Sequence, residues 1–190
     1  MVKNLAALFL MLITSIGMAQ TDTKTARYEV ADFNKVIIHG GGNLQIHQSD
    51  KRSVEIKSNR DCNKMVDVSV SSKTLHIRVD DSQINGCDLV VSVSVPSLIE
   101  LVKNGGGNVV LKEGFSPQKS FTCKIHGGGN IDVSELPVES FYATIQGGGV
   151  MLLHAEMELQ GNISGGGLIK YSGDPKVTSN VSGGRAINRK

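Results

Sequence analysis

The histidines are the side chains of this sequence most able to bind a metal. Two of them, His39 and His126, directly precede a Gly-Gly-Gly motif, and imidazoles can bind zinc or copper. No carboxylate or thiolate recurs beside them, and two strand spacings of about 9–10 Å would separate them, with Asn104 between. We therefore predict no metal site and no cofactor, and expect solvated side chains at a strand edge. The five histidines are His39, His47, His76, His126 and His154.

Catalysis on a polysaccharide would require clustered carboxylates, either as calcium ligands or as an acid and a base at a defined separation. Asp132, Glu135 and Glu139 lie near one glycine motif, but no matching acids stand beside the neighbouring motifs. No serine, cysteine or lysine lies in a recognisable nucleophile motif. We predict no catalytic residue and a protein that is not an enzyme.

The cysteines could form one disulfide in an oxidising compartment. Cys62 and Cys87 lie in turn-like polar segments on either side of a predicted hairpin, so a bond between them is one alternative and two free thiols the other. Cys123 lies at an inward position of the alternating stretch 121–125, where a free thiol behaves as a small hydrophobe.

A repeated glycine motif must organise the elements that carry these side chains. Its last five starting points are 22, 20, 18 and 18 residues apart, and a period near twenty is typical of a solenoid. Apolar residues alternate on both sides of each motif, which predicts a strand, a corner and another strand. The motif glycines are Gly40, Gly41, Gly42, Gly105, Gly106, Gly107, Gly127, Gly128, Gly129, Gly147, Gly148, Gly149, Gly165, Gly166, Gly167, Gly183 and Gly184.

These glycines are expected to form sharp corners, because glycine adopts positive φ and lets neighbouring strands approach without a Cβ atom. A valine at Gly128 is therefore expected to clash and to unfold the protein. Asn43, Asn108 and Asn130 follow the first three motifs, and we expect them to hydrogen-bond to one another as a ladder along the stack.

The chain divides into a signal peptide and one domain. Residues 1–19 combine Lys3, an apolar run of about twelve residues and small residues at the cleavage site, which predicts a secretory signal peptide with the mature chain starting at Gln20. The domain spans 20–190: irregular strands and a hairpin over 20–100, then regular coils over 101–190. Stretches 65–70 and 74–79 alternate around a polar turn and predict the hairpin.

Composition excludes several partners. The chain has 20 Lys and Arg against 18 Asp and Glu, so it lacks the basic field that nucleic acid or an anionic membrane requires. No second apolar stretch is long enough to cross a bilayer after signal cleavage. Tryptophan is absent and tyrosine scarce, which disfavours a sugar-stacking groove.

Several stretches together resemble the head GIN domain family, a set of exported bacterial proteins also described as auto-transporter adhesins and common in Bacteroidetes. They are 33–38, 95–101, the glycine corners, 171–175 and 181–184, and the resemblance spans about 31–187. It implies an all-β, right-handed parallel β-helix-like solenoid, and the family offers no catalytic residues. Lys103 stands where the family pattern has an apolar residue, so either the strand is irregular there or the lysine extends outward.

We therefore predict an exported, non-catalytic protein of the periplasm or cell surface. Its partner would be an envelope or surface ligand, either glycan or protein, and self-association through open solenoid ends is a third role. The alternative is a carbohydrate-active β-helix protein that acts on a polysaccharide.

Overall fold

A computed structural model of the chain describes residues 24–59, 61–80, 86–112, 114–183 and 186–190. The predicted signal peptide lies outside the described residues. The described residues fold as an all-β protein of two mixed sheets, with one short 3-10 helix at Asp61–Met65. None of the described helical structure has the length and apolar composition that a membrane crossing requires.

Seventeen strands of the described residues, numbered in chain order, form the two sheets, and strands that are neighbours in each series below are hydrogen-bonded. The nine-stranded sheet contains β1 (Lys24–Glu29), β4 (Ser53–Ser58), β7 (Leu89–Val95), β3 (Asn43–Gln48), β9 (Asn108–Leu111), β11 (Asn130–Val133), β13 (Val150–His154), β15 (Leu168–Ser172) and β17 (Ile187–Arg189). The eight-stranded sheet contains β16 (Lys176–Ser182), β14 (Glu158–Ser164), β12 (Val138–Gly147), β10 (Gln118–Gly127), β8 (Glu100–Asn104), β2 (Lys35–His39), β6 (Thr74–Val79) and β5 (Val66–Ser71).

Each glycine motif separates a strand of one sheet from a strand of the other. The strand before the motif lies in the eight-stranded sheet and the strand after it in the nine-stranded sheet, and each pairs in parallel with its counterpart in the next repeat. The register superimposes the motifs, as where Gly127 is the partner of Gly147. The predicted strand, corner, strand unit is confirmed.

The first glycine motif lies inside the regular stack rather than in a separate leading region. Its strands β2 and β3 pair in parallel with β8 and β9 on one side and with β6 and β7 on the other. The irregular part is therefore smaller than 20–100. It consists of the antiparallel strands β1, β4 and β5, which lie beyond β6 and β7. Strand β5 forms the predicted hairpin with β6, and this hairpin turns at Ser72 and Lys73, with φ of 48° and 59°.

The core lies between the two sheets and consists of the inward side chains of both. Phe121 and Phe141 are stacked repeats of one inward position, with ring centroids 5.6 Å apart. Ile125 and Ile145 occupy another such row, two inward positions further along the strands, and are fully buried. Val181 continues that row but is 40% exposed, since β16 is the last strand of its sheet.

The cysteines divide into one bonded pair and one free thiol. A disulfide joins Cys62 to Cys87, with a Cα–Cα distance of 6.3 Å, and so links the 3-10 helix to the segment before β7. Cys123 is free and buried, and burial raises the pKa of its thiol.

The native chain is expected to contain no thiol that reacts with a soluble disulfide reagent, because Cys123 is fully buried and stays protonated. Titration with such a reagent checks this: one thiol should react after unfolding in guanidinium chloride. A thiol that reacts rapidly in the native chain would contradict the buried position.

Candidate functional site

The glycine corners bring successive repeats into backbone contact at the first and third motif positions. Gly147 has a φ of +128°, and a Cβ atom there would lie 2.4 Å from the carbonyl oxygen of Gly127. A Cβ atom at Gly149 would lie 2.3 Å from the carbonyl oxygen of Gly129. Both positions therefore require glycine. Of the predicted corner glycines, Gly184 lies outside the described residues.

The middle glycine of the corners does not make this contact. A Cβ atom at Gly128 or Gly148 would meet nothing within 4 Å. The expectation that valine at Gly128 clashes is therefore wrong, since the side chain would point to solvent.

An asparagine ladder follows the corners in the nine-stranded sheet. The Asn108 amide Nδ2 donates to Asn43 Oδ1 at 3.0 Å, and Asn130 Nδ2 donates to Asn108 Oδ1 at 3.0 Å. The ladder predicted from sequence is confirmed. It ends at β13, where Val150 is the partner of Asn130.

The histidines before the corners lie in one row of the eight-stranded sheet, as expected, with Asn104 between His39 and His126. Both are half-buried rather than fully solvated. His126 Nδ1 and Gln146 Oε1 are 2.8 Å apart. Because an amide oxygen only accepts, the Nδ1–H of the ring is the donor. The pKa of His39 is lowered, first by burial of the ring and second by the positive charge of Arg78. Among the described residues, no three His, Cys, Asp or Glu side chains are grouped to hold a metal ion.

Lys103 lies in the core, which corrects both readings of this position. Its strand pairs regularly, with Ile38 and Ile125 as its partners, and the side chain is 1% exposed. The ammonium Nζ donates to the carbonyl oxygen of Gly40 in the adjacent corner. A buried charge needs such a partner, and the corner carbonyl supplies one.

The outer face of the eight-stranded sheet carries an exposed aromatic side chain. Tyr142 on β12 is 43% exposed, and its partners in the same row are Thr122 on β10 and Gln160 on β14, followed by Thr178 on β16. A shallow groove of about 270 Å³ runs beside it. Its lining residues are Ser140, Phe141, Tyr142, Glu158, Leu159, Gln160, Lys176 and Thr178.

Amides and hydroxyls extend from this tyrosine across three neighbouring strands. We call the set the polar face; it consists of Tyr142, Thr144, Gln146, Gln160, Asn162, Ser164, Thr178, Asn180 and Ser182. These residues alternate along β12, β14 and β16 with inward positions, so they share one side of the sheet. None carries a formal charge, and every one can donate and accept hydrogen bonds.

Charges border the polar face on two sides. Glu158 and Lys176 are partners at the end of the groove. On the far side, Glu100 lies between Lys35 at 3.2 Å and Lys124 at 2.8 Å. The hydrogen bond from Lys124 is the main cause that lowers the pKa of Glu100. The charges at this border therefore pair with each other.

Tyr142 was not singled out from the sequence, because aromatic residues are scarce in this chain. A signal was present, because Phe141 and Ala143 are inward residues of an alternating strand and Tyr142 between them must point outward. The histidine and asparagine rows were found from sequence because each of them repeats beside a glycine motif.

The sequence matches a known protein family over most of its length. The model of the family described as "Putative auto-transporter adhesin, head GIN domain" matches residues 32–120 and 116–175. The chain belongs to this family. Among curated proteins, none matches the sequence of this head GIN domain protein.

Solved structures resemble this head GIN domain. A putative adhesin from Bacteroides fragilis has a TM-score of 0.60 and 21% identity, and the match covers 89% of this chain and 97% of that one. A putative adhesin from Parabacteroides merdae has a TM-score of 0.47 and 16% identity, with 88% and 96% covered. The likeness to the Bacteroides fragilis protein shows that the two share the all-β fold.

Proposed function

We propose that this protein is an exported, non-catalytic adhesin of the cell envelope that binds neutral glycans on the polar face. The observation that carries the proposal is the exposed ring of Tyr142 at the corner of a continuous uncharged surface of amides and hydroxyls. The adhesin description of the family supports the same role.

The polar face has the chemistry that a neutral sugar requires. A tyrosine ring offers an apolar surface with a polar tip, on which the C–H face of a sugar ring can lie. Gln160 and Thr178 continue the row from Tyr142, so amide and hydroxyl groups stand beside the ring to bond sugar hydroxyls. Salt screens interactions between charges, so we expect binding on this uncharged surface to depend little on salt.

The repeats would present this surface as a rigid platform. We infer that the parallel units wind as a right-handed β-helix-like solenoid, with strands about 4.8 Å apart. Equivalent positions of successive repeats then stand at a fixed spacing along the face. An extended glycan could contact several strands at once, which suits adhesion to a polymer.

The groove supports binding rather than hydrolysis. Hydrolysis of a glycosidic bond generally needs two carboxyl groups at a defined separation. Among the residues that line the groove, Glu158 alone carries a carboxylate, and its partner on the next strand is Lys176. The alternative of a carbohydrate-active enzyme therefore has no specific observation in its favour.

Export is the remaining part of the proposal. The sequence of residues 1–19 has the three parts of a secretory signal peptide. The disulfide between Cys62 and Cys87 is stable in an oxidising compartment such as the periplasm or the cell exterior.

Replacing Tyr142 by alanine is expected to weaken glycan binding about tenfold, which corresponds to ~1.4 kcal/mol, because large aromatic side chains are the ones that most often dominate the affinity of a contact surface. The measurement is binding of the purified chain to an array of neutral polysaccharides, followed by titration of the best ligand.

Tyr28→Ala is the matched control, since Tyr28 is 37% exposed on β1 of the other sheet. It should bind as the unchanged chain does. Equal loss in both variants, or none in either, would contradict the proposed site.

A further inference from the structure

The eight-stranded sheet ends at β16, and no other described strand pairs with its outer edge. Every residue of β16 is exposed, including the inward-pointing Val177 at 37% and Val181 at 40%. The same inward rows are occupied by Leu159 and Ile163 on β14, which are buried. The last strand therefore leaves both backbone groups and apolar side chains uncovered.

This edge lacks the features that usually prevent strands from pairing. Charged side chains, prolines and bulges protect natural edge strands. The sequence of β16 is Lys-Val-Thr-Ser-Asn-Val-Ser, which has one charge, at Lys176, and no proline. By contrast, the edge strand β1 of the other sheet carries Lys24, Arg27 and Glu29. The β16 edge is thus suited to accept another strand.

The outward backbone groups of β16 can be assigned from its hydrogen bonds to β14. The amide of Lys176 donates to the Met157 carbonyl, and the carbonyl of Ser182 accepts from the Gly165 amide. Backbone groups alternate in direction along a strand. Those of Val177, Ser179 and Val181 therefore point away from β14, toward the free edge.

The sequence of β16 is nearly symmetric about Ser179. In an antiparallel pair of two such strands centred on this residue, Val177 lies opposite Val181 of a second copy, and Thr178 lies opposite Asn180. The residues with outward backbone groups are then directly opposite each other, which is the arrangement that exchanges two hydrogen bonds per pair. The valines of both copies lie on the same core side, and no like charges meet.

We propose that two copies of this chain associate through β16 in an antiparallel pair with a two-fold axis at Ser179. Such a contact is self-complementary and closes after two copies, unlike a head-to-tail contact between opposite ends. It joins two eight-stranded sheets into one. If the polar face binds glycans, the dimer places two such faces side by side on a continuous sheet.

The first test is the mass of the purified chain by sedimentation velocity across micromolar to millimolar concentrations. A dimer is expected. Ser179→Pro should be monomeric, because proline removes an outward amide and leaves the bonds to β14 intact. Ser179→Ala keeps that amide and should remain dimeric. A monomeric unchanged chain, a dimeric Ser179→Pro variant or growth into longer assemblies would overturn the proposal.

A cross-link keeps the test valid if the proline variant fails to fold. Two Ser179→Cys residues on the axis would have Cα atoms about 5.5 Å apart, within the range of a disulfide. Mild oxidation should convert most of this variant to a covalent dimer. Ser182→Cys is the control, because its two copies would lie about 20 Å apart along the strands. Equal cross-linking of both variants would contradict the register. Neither assay depends on a glycan, so failure of the dimer proposal can be distinguished from failure of the proposed function.

Discussion

Replacing Gly147 by alanine is expected to lower the free energy of unfolding by about 3 kcal/mol. Positive φ costs an L-residue roughly 1–2 kcal/mol, and a forced shift of packed backbone costs about as much again. Gly147 has a φ of +128° and its Cβ atom would lie 2.4 Å from a backbone oxygen of the neighbouring corner, which a rotamer change cannot relieve. Urea denaturation of the purified variant measures the loss.

Gly148→Ala is the matched control, one residue further along the same corner. Its Cβ atom would meet nothing within 4 Å, so its free energy of unfolding should stay within about 0.5 kcal/mol of the unchanged chain. Equal stability of the two variants would mean that the corners do not need glycine for steric reasons.

Removing the disulfide with the double change Cys62→Ala and Cys87→Ala is expected to cost about 3.5 kcal/mol. The bond closes a loop with a sequence separation of 25, and the chain-entropy model gives that figure for about 25 residues. The loop contains the hairpin β5–β6, which pairs with the first repeat through β6. Urea denaturation in the absence of reductant measures the change.

Cys123→Ala serves as the control for loss of sulfur without loss of a cross-link. It removes one buried atom from the core and should cost about 1 kcal/mol. If the double variant loses no more than this control, the bond between Cys62 and Cys87 contributes nothing to native stability.

The repeated part of the fold could be predicted because its signals are local and recur. Alternation around each corner predicted strands, and the spacing of 18 to 22 residues between the last five motifs predicted that they stack as a solenoid. The place of the first repeat could not be predicted, because β2 and β3 pair with strands on both sides that come much later in the chain. Nothing near Gly40 in sequence indicates that β6 and β7 return to cover it.

The environments of individual side chains also depend on residues that are distant in the sequence. A buried lysine at position 103 depends on the carbonyl of Gly40, which is 63 residues away in the chain. The different roles of Gly147 and Gly148 depend on which one faces the previous corner, and three identical letters do not reveal it. Tyr142 is conspicuous only once the neighbouring strands supply Gln160 and Thr178 beside it.

The most direct test of adhesion without catalysis is a single assay on the purified chain, in which binding to neutral polysaccharides and release of sugar products by mass spectrometry are measured in the same wells. We expect binding to at least one glycan, no products, and weaker binding in Tyr142→Ala but not in Tyr28→Ala. Products that accumulate with protein concentration, or no binding to any neutral glycan, would contradict a glycan-binding adhesin.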